Sequence, residues 1–399
     1  MMSGRRGTGA AFLRKHRDNG SVSTHPRPWF DAWHDALYGE AGFYRRDEGP
    51  AGHFATSAQG IPGVADVLAQ AVLAYAERCD AEVVVDFACG RGELLEALAR
   101  FADPSLELIG VDVVARPDAV SDRIAWVQSP GAAAVPDFDF LDGRRALVVA
   151  HEWLDVVPCT VAEADDDGVL RSVLVAHDGT ESVGEPLTEP ELDWVRRWWR
   201  PQHDTSDDTS SPGPDAAETH LPGERVEVGL TRDRAWSNLI ENVSRHATPG
   251  SVLVGVDYGH TRATRPPLGT LTGFREGAEC TPIPDGSCDV TAHVAVDSLD
   301  ADHVTTQRAV MLDLFGEEPL EPVPLDLAHT APRPTCNGWR YVRRWRPPSA
   351  PTVWARSSGG CARSADLRQA SVGFGRRSLA RTVGRDVGPV AAAAIAVSA

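Results

Sequence analysis

VVVDFACGRGELLEAL, residues 83–98, decides the fold. From Val83 to Phe87 the chain is β-branched and apolar without alternation, which predicts a strand buried on both faces, as in a parallel sheet. Asp86 is the acid near its end, Ala88 stands in the turn that follows, and Gly90 and Gly92 lead into apolar positions spaced for a helix. Such a turn lets the backbone approach a ligand closely and points free helix N–H groups at it. Asp112 lies twenty residues past Gly92, near the end of a second buried run, LELIGVDV (106–113). Doubly wound folds place there a carboxylate that accepts hydrogen bonds from ribose hydroxyls.

Outward from this core, IAWVQ (124–128), ALVVA (146–150) and SVLVGVDYG (251–259) read as further strands, and VADVLAQAVLAYAER (64–78) as an amphipathic helix. The order predicts an α/β fold: a Rossmann-like, doubly wound, mostly parallel sheet with helices on both faces. A hairpin around Asp165–Gly168 is inserted after the fourth strand, and an antiparallel hairpin is expected through 270–296, with a last helix near 303–315. Trp194, Trp198 and Trp199 fall at the spacing of a helical packing stripe. The Asp165–Asp167 run reads as a turn, and no metal site is expected. The domain reading is a basic, disordered start at 1–28 and one catalytic-size unit at 29–330, with an insertion and acidic linker at 158–225. A basic tail of low order follows at 331–399.

The 399 residues carry a formal charge of -18, unevenly spread. From residue 331 onward stand twelve Arg and two acids, a local net of +10, which leaves -28 on the first 330 residues. An acidic body repels a phosphate backbone, so nucleic acid is not expected as its partner. Lys15 is the only lysine, as in GC-rich coding DNA, where a shifted reading frame yields Arg/Ala/Gly/Pro-rich text like this tail. No apolar run reaches the roughly 20 residues that span a bilayer, so no membrane association is expected. Seven Cys without a CxxC pair or a secretion signal suit a reducing cytoplasm.

Two ligand classes fit the glycine turn. A dinucleotide wants G-x-G-x-x-G, whose third glycine is missing here, and an oxidoreductase reading would rest on Asp112. An acid at Asp86 opposes a pyrophosphate but suits a cationic amino-acid end, and D-x-A-C-G-x-G resembles motif I of class I methyltransferases, which use S-adenosyl-L-methionine. A tight turn with no ligand is the bland alternative. Further segments narrow the likeness. ALYGEAGFY (36–44), GHFATS (52–57), VVAHEWLDVVP (148–158), VGVDYG (254–259) and GSCDVTAHV (286–294) resemble, in order, segments of the MidA family, S-adenosyl-L-methionine-dependent methyltransferases whose mitochondrial members modify an arginine of a respiratory complex. Ala88 and Cys89 depart from that family's G-P-G-R-G loop, His151 from its Asn and His53 from its Asp.

The resemblance implies S-adenosyl-L-methionine held by Asp86, Ala88, Gly90, Gly92 and Asp112, with Phe54 and Thr56 folding over it. It implies a protein substrate, with arginine the first expectation. Glu152 and Asp155, just after the fourth strand, would grip a guanidinium, and one of them or His151 would take the departing proton. Asp257, Tyr258 and His293 would line the substrate pocket. Each has a plainer reading: Glu152 and Asp257 as caps of their loops, Asp155 as a solvated carboxylate, His293 as a core group. A non-catalytic assembly factor that keeps the fold is the alternative function.

Overall fold

Val83, Val84 and Val85 are wholly buried, and the neighbouring strand Ala146–His151 is buried at every residue, which is why neither run alternates. The computed structural model describes residues 25–46, 64–199, 220–316, 351–357 and 391–398, the last two by their main chain alone. Expectations for residues 1–24, for His53, Phe54 and Thr56, for the linker over 200–219 and for most of the tail lie outside the described residues.

In chain order the strands are β1 (Arg27–Pro28), β2 (Val83–Phe87), β3 (Glu107–Asp112), β4 (Ile124–Gln128), β5 (Ala146–His151), β6 (Thr160–Ala164), β7 (Leu170–Val175), β8 (Glu181–Pro186) and β9 (Arg225–Val228). They continue with β10 (Val252–His260), β11 (Thr272–Arg275), β12 (Ala278–Cys280), β13 (Asp289–Thr291), β14 (Val294–Ala295), β15 (His303–Thr306), β16 (Pro351–Ser357) and β17 (Ala391–Ser398). The helices are α1 (Trp29–Tyr38), α2 (Val64–Arg78), α3 (Glu93–Phe101), α4 (Glu189–Trp198), α5 (Leu230–His246) and α6 (Gln307–Phe315).

The main sheet runs β4-β3-β2-β5-β10 with every pairing parallel, so the carboxyl ends of these strands share one edge. The backbone of β17 extends it in parallel beside β10, while β16 runs antiparallel to β15, β17 and β10. Helices cover both faces. Ala235, Trp236, Leu239 and Val243 of α5 pack on Val83, Val85 and Val148. Leu68 and Val72 of α2 and Leu94, Leu95 and Leu98 of α3 pack on Val84, Leu108 and Val149. Odd and even residues of β2 thus feed opposite layers of the core.

Two antiparallel sheets flank this edge. The insertion after β5 forms the sheet β1-β7-β6-β9, with β8 paired to β7. The aspartate run is its hairpin turn: Asp165 Oδ1 accepts from the N–H of Asp167 at 3.0 Å and of Val169 at 2.9 Å. Trp194, Val195 and Trp199 pack on Val226 and Val228 of this sheet, with Trp198 at the margin of the cluster. Of the segment expected as a hairpin over 270–296, β11, β12 and β13 form a separate antiparallel sheet, while β14 joins the main sheet in parallel beside β10. The run VTAHVAV is broken between β13 and β14, because the carbonyls of Ala292 and His293 accept from Arg232 Nη1 instead of a neighbouring strand. Among the described residues no helix is long and apolar enough to cross a membrane.

Leu239 carries α5 onto the sheet and is wholly buried. Leu239→Ala should cost about 2–5 kcal/mol, read as a lowered midpoint in urea unfolding at unchanged slope.

Candidate active site

The turn after β2 has the unusual backbone its sequence suggests. Ala88, Gly90 and Gly92 take φ values of +60°, +59° and +89°. Gly92 also caps α3, and a Cβ there would meet Trp126 Cζ3 at 3.3 Å and Val120 Cγ2 at 3.4 Å, so both conformation and space favour glycine. Asp112 holds this turn from β3: its Oδ2 accepts from Gly90 N–H at 2.8 Å and its Oδ1 from Val114 N–H at 2.9 Å. Burial pushes the Asp112 carboxyl up to about 6 against those two bonds. Each oxygen keeps a further lone pair, so the group can still accept from a ligand hydroxyl.

Asp86 is 2% exposed and receives no hydrogen bond from any described residue. Burial first, then Asp112 and Glu93, hold its carboxyl well above the usual range. A ligand with a cationic end near Asp86 and hydroxyls near Asp112 would satisfy both groups, so the residues present fit a nucleoside-bearing cation. The Cys89 thiol is raised by burial and by Asp112 and Asp86, the opposite of an activated nucleophile.

Two strands along, a second group gathers at the ends of β5 and β10. Glu152 leaves β5 with φ +52° and donates its N–H to Val256 O at 2.7 Å. Asp257 Oδ2 accepts from the N–H of Leu154 at 2.7 Å and of Asp155 at 3.2 Å, and its Oδ1 from Tyr258 N–H at 2.9 Å. Asp257 therefore caps the loop carrying Glu152 and Asp155. Asp155 is buried as well, not solvated: Oδ2 accepts from Thr291 Oγ1 at 2.9 Å, while Oδ1 is buried with no hydrogen-bond partner among the described residues. Burial and then Glu152 push its carboxyl up to about 6, with Thr291 and Arg232 opposing.

Asp289 accepts from Tyr44 Oη at 2.9 Å, and burial, with Asp155 adding, takes its carboxyl to about 8. His151 Nε2 lies 3.8 Å from Glu152 Oε1, and burial lowers its imidazole to about 4, so it is neutral at pH 7. Tyr258 stacks on His293 with ring centroids 6.2 Å apart and planes at 23°. Burial and then Arg232 take His293 to about 4 as well.

Asp86, Ala88, Gly90, Gly92 and Asp112 thus form one cluster at the ends of β2 and β3. His151, Glu152, Asp155, Asp257, Tyr258 and His293 form another at the ends of β5 and β10. Three residues escape a reading by motif. Tyr38 donates to Val156 O at 3.2 Å and feels Asp289, Asp112 and Asp155, so it stands between the clusters. Tyr44 holds Asp289. Both lie in ALYGEAGFY, where the pattern was visible but the role of its rings was not. Arg232, wholly buried in the first turn of α5, gave no local signal.

Residues 67–312, more than half of the chain, match the model of a family described as "Putative S-adenosyl-L-methionine-dependent methyltransferase". Among solved structures, a superfamily member from Burkholderia thailandensis bound to S-adenosyl-homocysteine is 19% identical, with a TM-score of 0.50 over 73% of this chain and 77% of that one. A native structure of an uncharacterized protein of that superfamily, also from Burkholderia thailandensis, is 20% identical, with a TM-score of 0.49 over 72% and 76% of the two chains. Comparison with curated proteins gives no match. The first of these likenesses supports the fold.

The raised carboxyl of Asp289 gives a signed prediction. Its folded pKa of about 8 lies above the unfolded value of roughly 3.9, so its contribution to stability is full at low pH and lost as pH rises toward 8. Asn cannot ionise and can still accept from Tyr44. Asp289→Asn should therefore gain on the wild type by at least about 3 °C in melting temperature between pH 5 and pH 8.5, measured by calorimetry.

Proposed function

Because the chain belongs to this family of S-adenosyl-L-methionine-dependent methyltransferases, MidA-like and of class I, we propose that it methylates a cationic protein side chain, with arginine the first candidate. The observation that carries the reading is the buried Asp155 Oδ1, which has no hydrogen-bond partner among the described residues, set among Glu152, Asp257 and Asp289. A concentration of buried acid with an unused acceptor suits a planar cation rich in N–H donors.

S-adenosyl-L-methionine supplies an electrophilic methyl group on a sulfonium. The chain's own residues would do the rest. Asp86 would hold the cationic amino end, Asp112 the ribose hydroxyls, and the open backbone at Ala88, Gly90 and Gly92 would let the ligand lie close to the helix start. Phe54 and Thr56, outside the described residues, would fold over it. Glu152 and Asp155 would align the guanidinium and offset its charge, so that one nitrogen faces the methyl group in line. That nitrogen must shed a proton, and neutral His151 or one of the two carboxylates would accept it. Asp257 would keep the loop rigid through its three N–H bonds, and Tyr258 stacked on His293 would form a flat wall beside the guanidinium.

The experiment pairs calorimetric titration of S-adenosyl-L-methionine with transfer of a tritiated methyl group to lysate proteins. The wild type should give heat and label. Glu152→Ala should give heat but at least about 100-fold less label. No heat from the wild type would return the non-catalytic assembly-factor reading, and label undiminished in Glu152→Ala would sink the carboxylate grip. Because Glu152 occupies a left-handed φ, Glu152→Gly should also gain about 1 kcal/mol of stability, seen in urea unfolding, while losing transfer.

A further inference from the structure

Arg232 stands in the first turn of α5, 1% exposed, where the positive end of the helix dipole disfavours a cation. No carboxylate forms an ion pair with it among the described residues. It donates instead to four main-chain carbonyls: Nε to Val157 O at 3.0 Å, Nη2 to Asp155 O at 2.8 Å, and Nη1 to Ala292 O and His293 O, both at 3.0 Å. Its guanidinium lies 5.4 Å from the centroid of the Trp33 ring, and Trp33 Nε1 donates to Val290 O at 2.8 Å. A single side chain therefore ties the loop of Asp155 to the break that carries His293, with α1 packed beneath it.

We infer that Arg232 is the positioning residue of the acidic site, fixing the two loops to each other and supplying the positive charge against which Asp155 is held. The inference rests on the reading of Asp155 as a substrate-gripping carboxylate. Groups facing Asp155 come from every side: Tyr38 and Tyr44 from the N-terminal segment, His151 and Glu152 beside it, Asp257 and Tyr258 from β10, and Asp289 and Thr291 from β13. The carboxylates in this set outnumber the cations, and Arg232 opposes ionisation loss at both Asp155 and Asp257. A neutral donor in its place would keep some carbonyl bonds but lose that opposition. Lysine would keep the charge and lose the fork.

The test is a melting-temperature cycle on the full chain without methyl donor or substrate, over pH 5.5–8. Relative to wild type, Arg232→Gln should lose progressively more stability as pH rises, since Asp155 must then ionise without its counter-charge. Asp155→Asn should raise the melting temperature by several degrees more in the Arg232→Gln background than in wild type. Arg232→Lys should run parallel to wild type across the range. Equal effects of Asp155→Asn in both backgrounds, or a Gln variant parallel to wild type, would overturn the inference and leave a purely structural arginine. If Arg232→Gln does not fold at any pH, the lysine variant decides: a melting temperature falling away with rising pH overturns the proposal. Since no turnover is read, these outcomes stand apart from those of the labelling experiment.

Discussion

Buried carboxylates at the carboxyl edge of the parallel sheet constrain everything around them. An ion taken out of water costs several kcal/mol even after relaxation, and Asp86, Asp112, Asp155, Asp257 and Asp289 are all at least nine-tenths buried within a few strands of one another. The protein meets this in three ways. Asp112 and Asp257 are given main-chain N–H donors. Asp289 is given a tyrosine hydroxyl and a raised pKa that keeps it largely neutral at pH 7. Among the described residues Asp155 keeps one oxygen without a partner and Asp86 receives no hydrogen bond, and these are the two proposed to take the cationic ligands. The asymmetry separates residues that hold the loops from residues that wait for something to hold.

How much of this can be read without coordinates depends on sequence distance. The strand–turn–helix at 83–98 is legible because every contact that defines it is local: a buried run, a turn that needs positive φ, a helix with its apolar face toward Val84. The parallel sheet follows from runs such as ALVVA, whose lack of alternation reports burial on both sides. The acidic site is only half legible. Glu152, Asp155 and Asp257 can be named from their segments, but their burial cannot, and Asp155 is enclosed where its plainer reading is a solvated carboxylate. Tyr44 reaches Asp289 across 245 residues and Trp33 reaches Val290 across 257, and no periodicity encodes such pairs. The break at Ala292–His293 is hidden for the same reason. Its cause is an arginine sixty residues upstream whose helix looks ordinarily amphipathic.

Two departures from the resembled family acquire physical content. Where that family has glycine, Ala88 takes φ +60°, so the loop holds a Cβ in a conformation that glycine adopts freely. The chain accepts local strain at the turn proposed to meet the cofactor. Where the family has asparagine, His151 is enclosed and neutral, a group with one donor and one acceptor nitrogen in place of an amide. The hydrogen-bonding pattern beside Glu152 is thereby changed while its lack of charge is preserved.

Helix α1 depends on segments that arrive far later along the chain. Trp33, Tyr38 and Tyr44 find Val290, Val156 and Asp289, so the amino-terminal wall of the site is complete only when nearly three hundred residues have left the ribosome. Until then Trp33 and Tyr44 lack the partners that fix them in the folded chain. Pairings of such separation make folding slow, because a long loop must close before any contact rewards it. The window during which a chaperone would be useful is therefore set by the distance between α1 and β13.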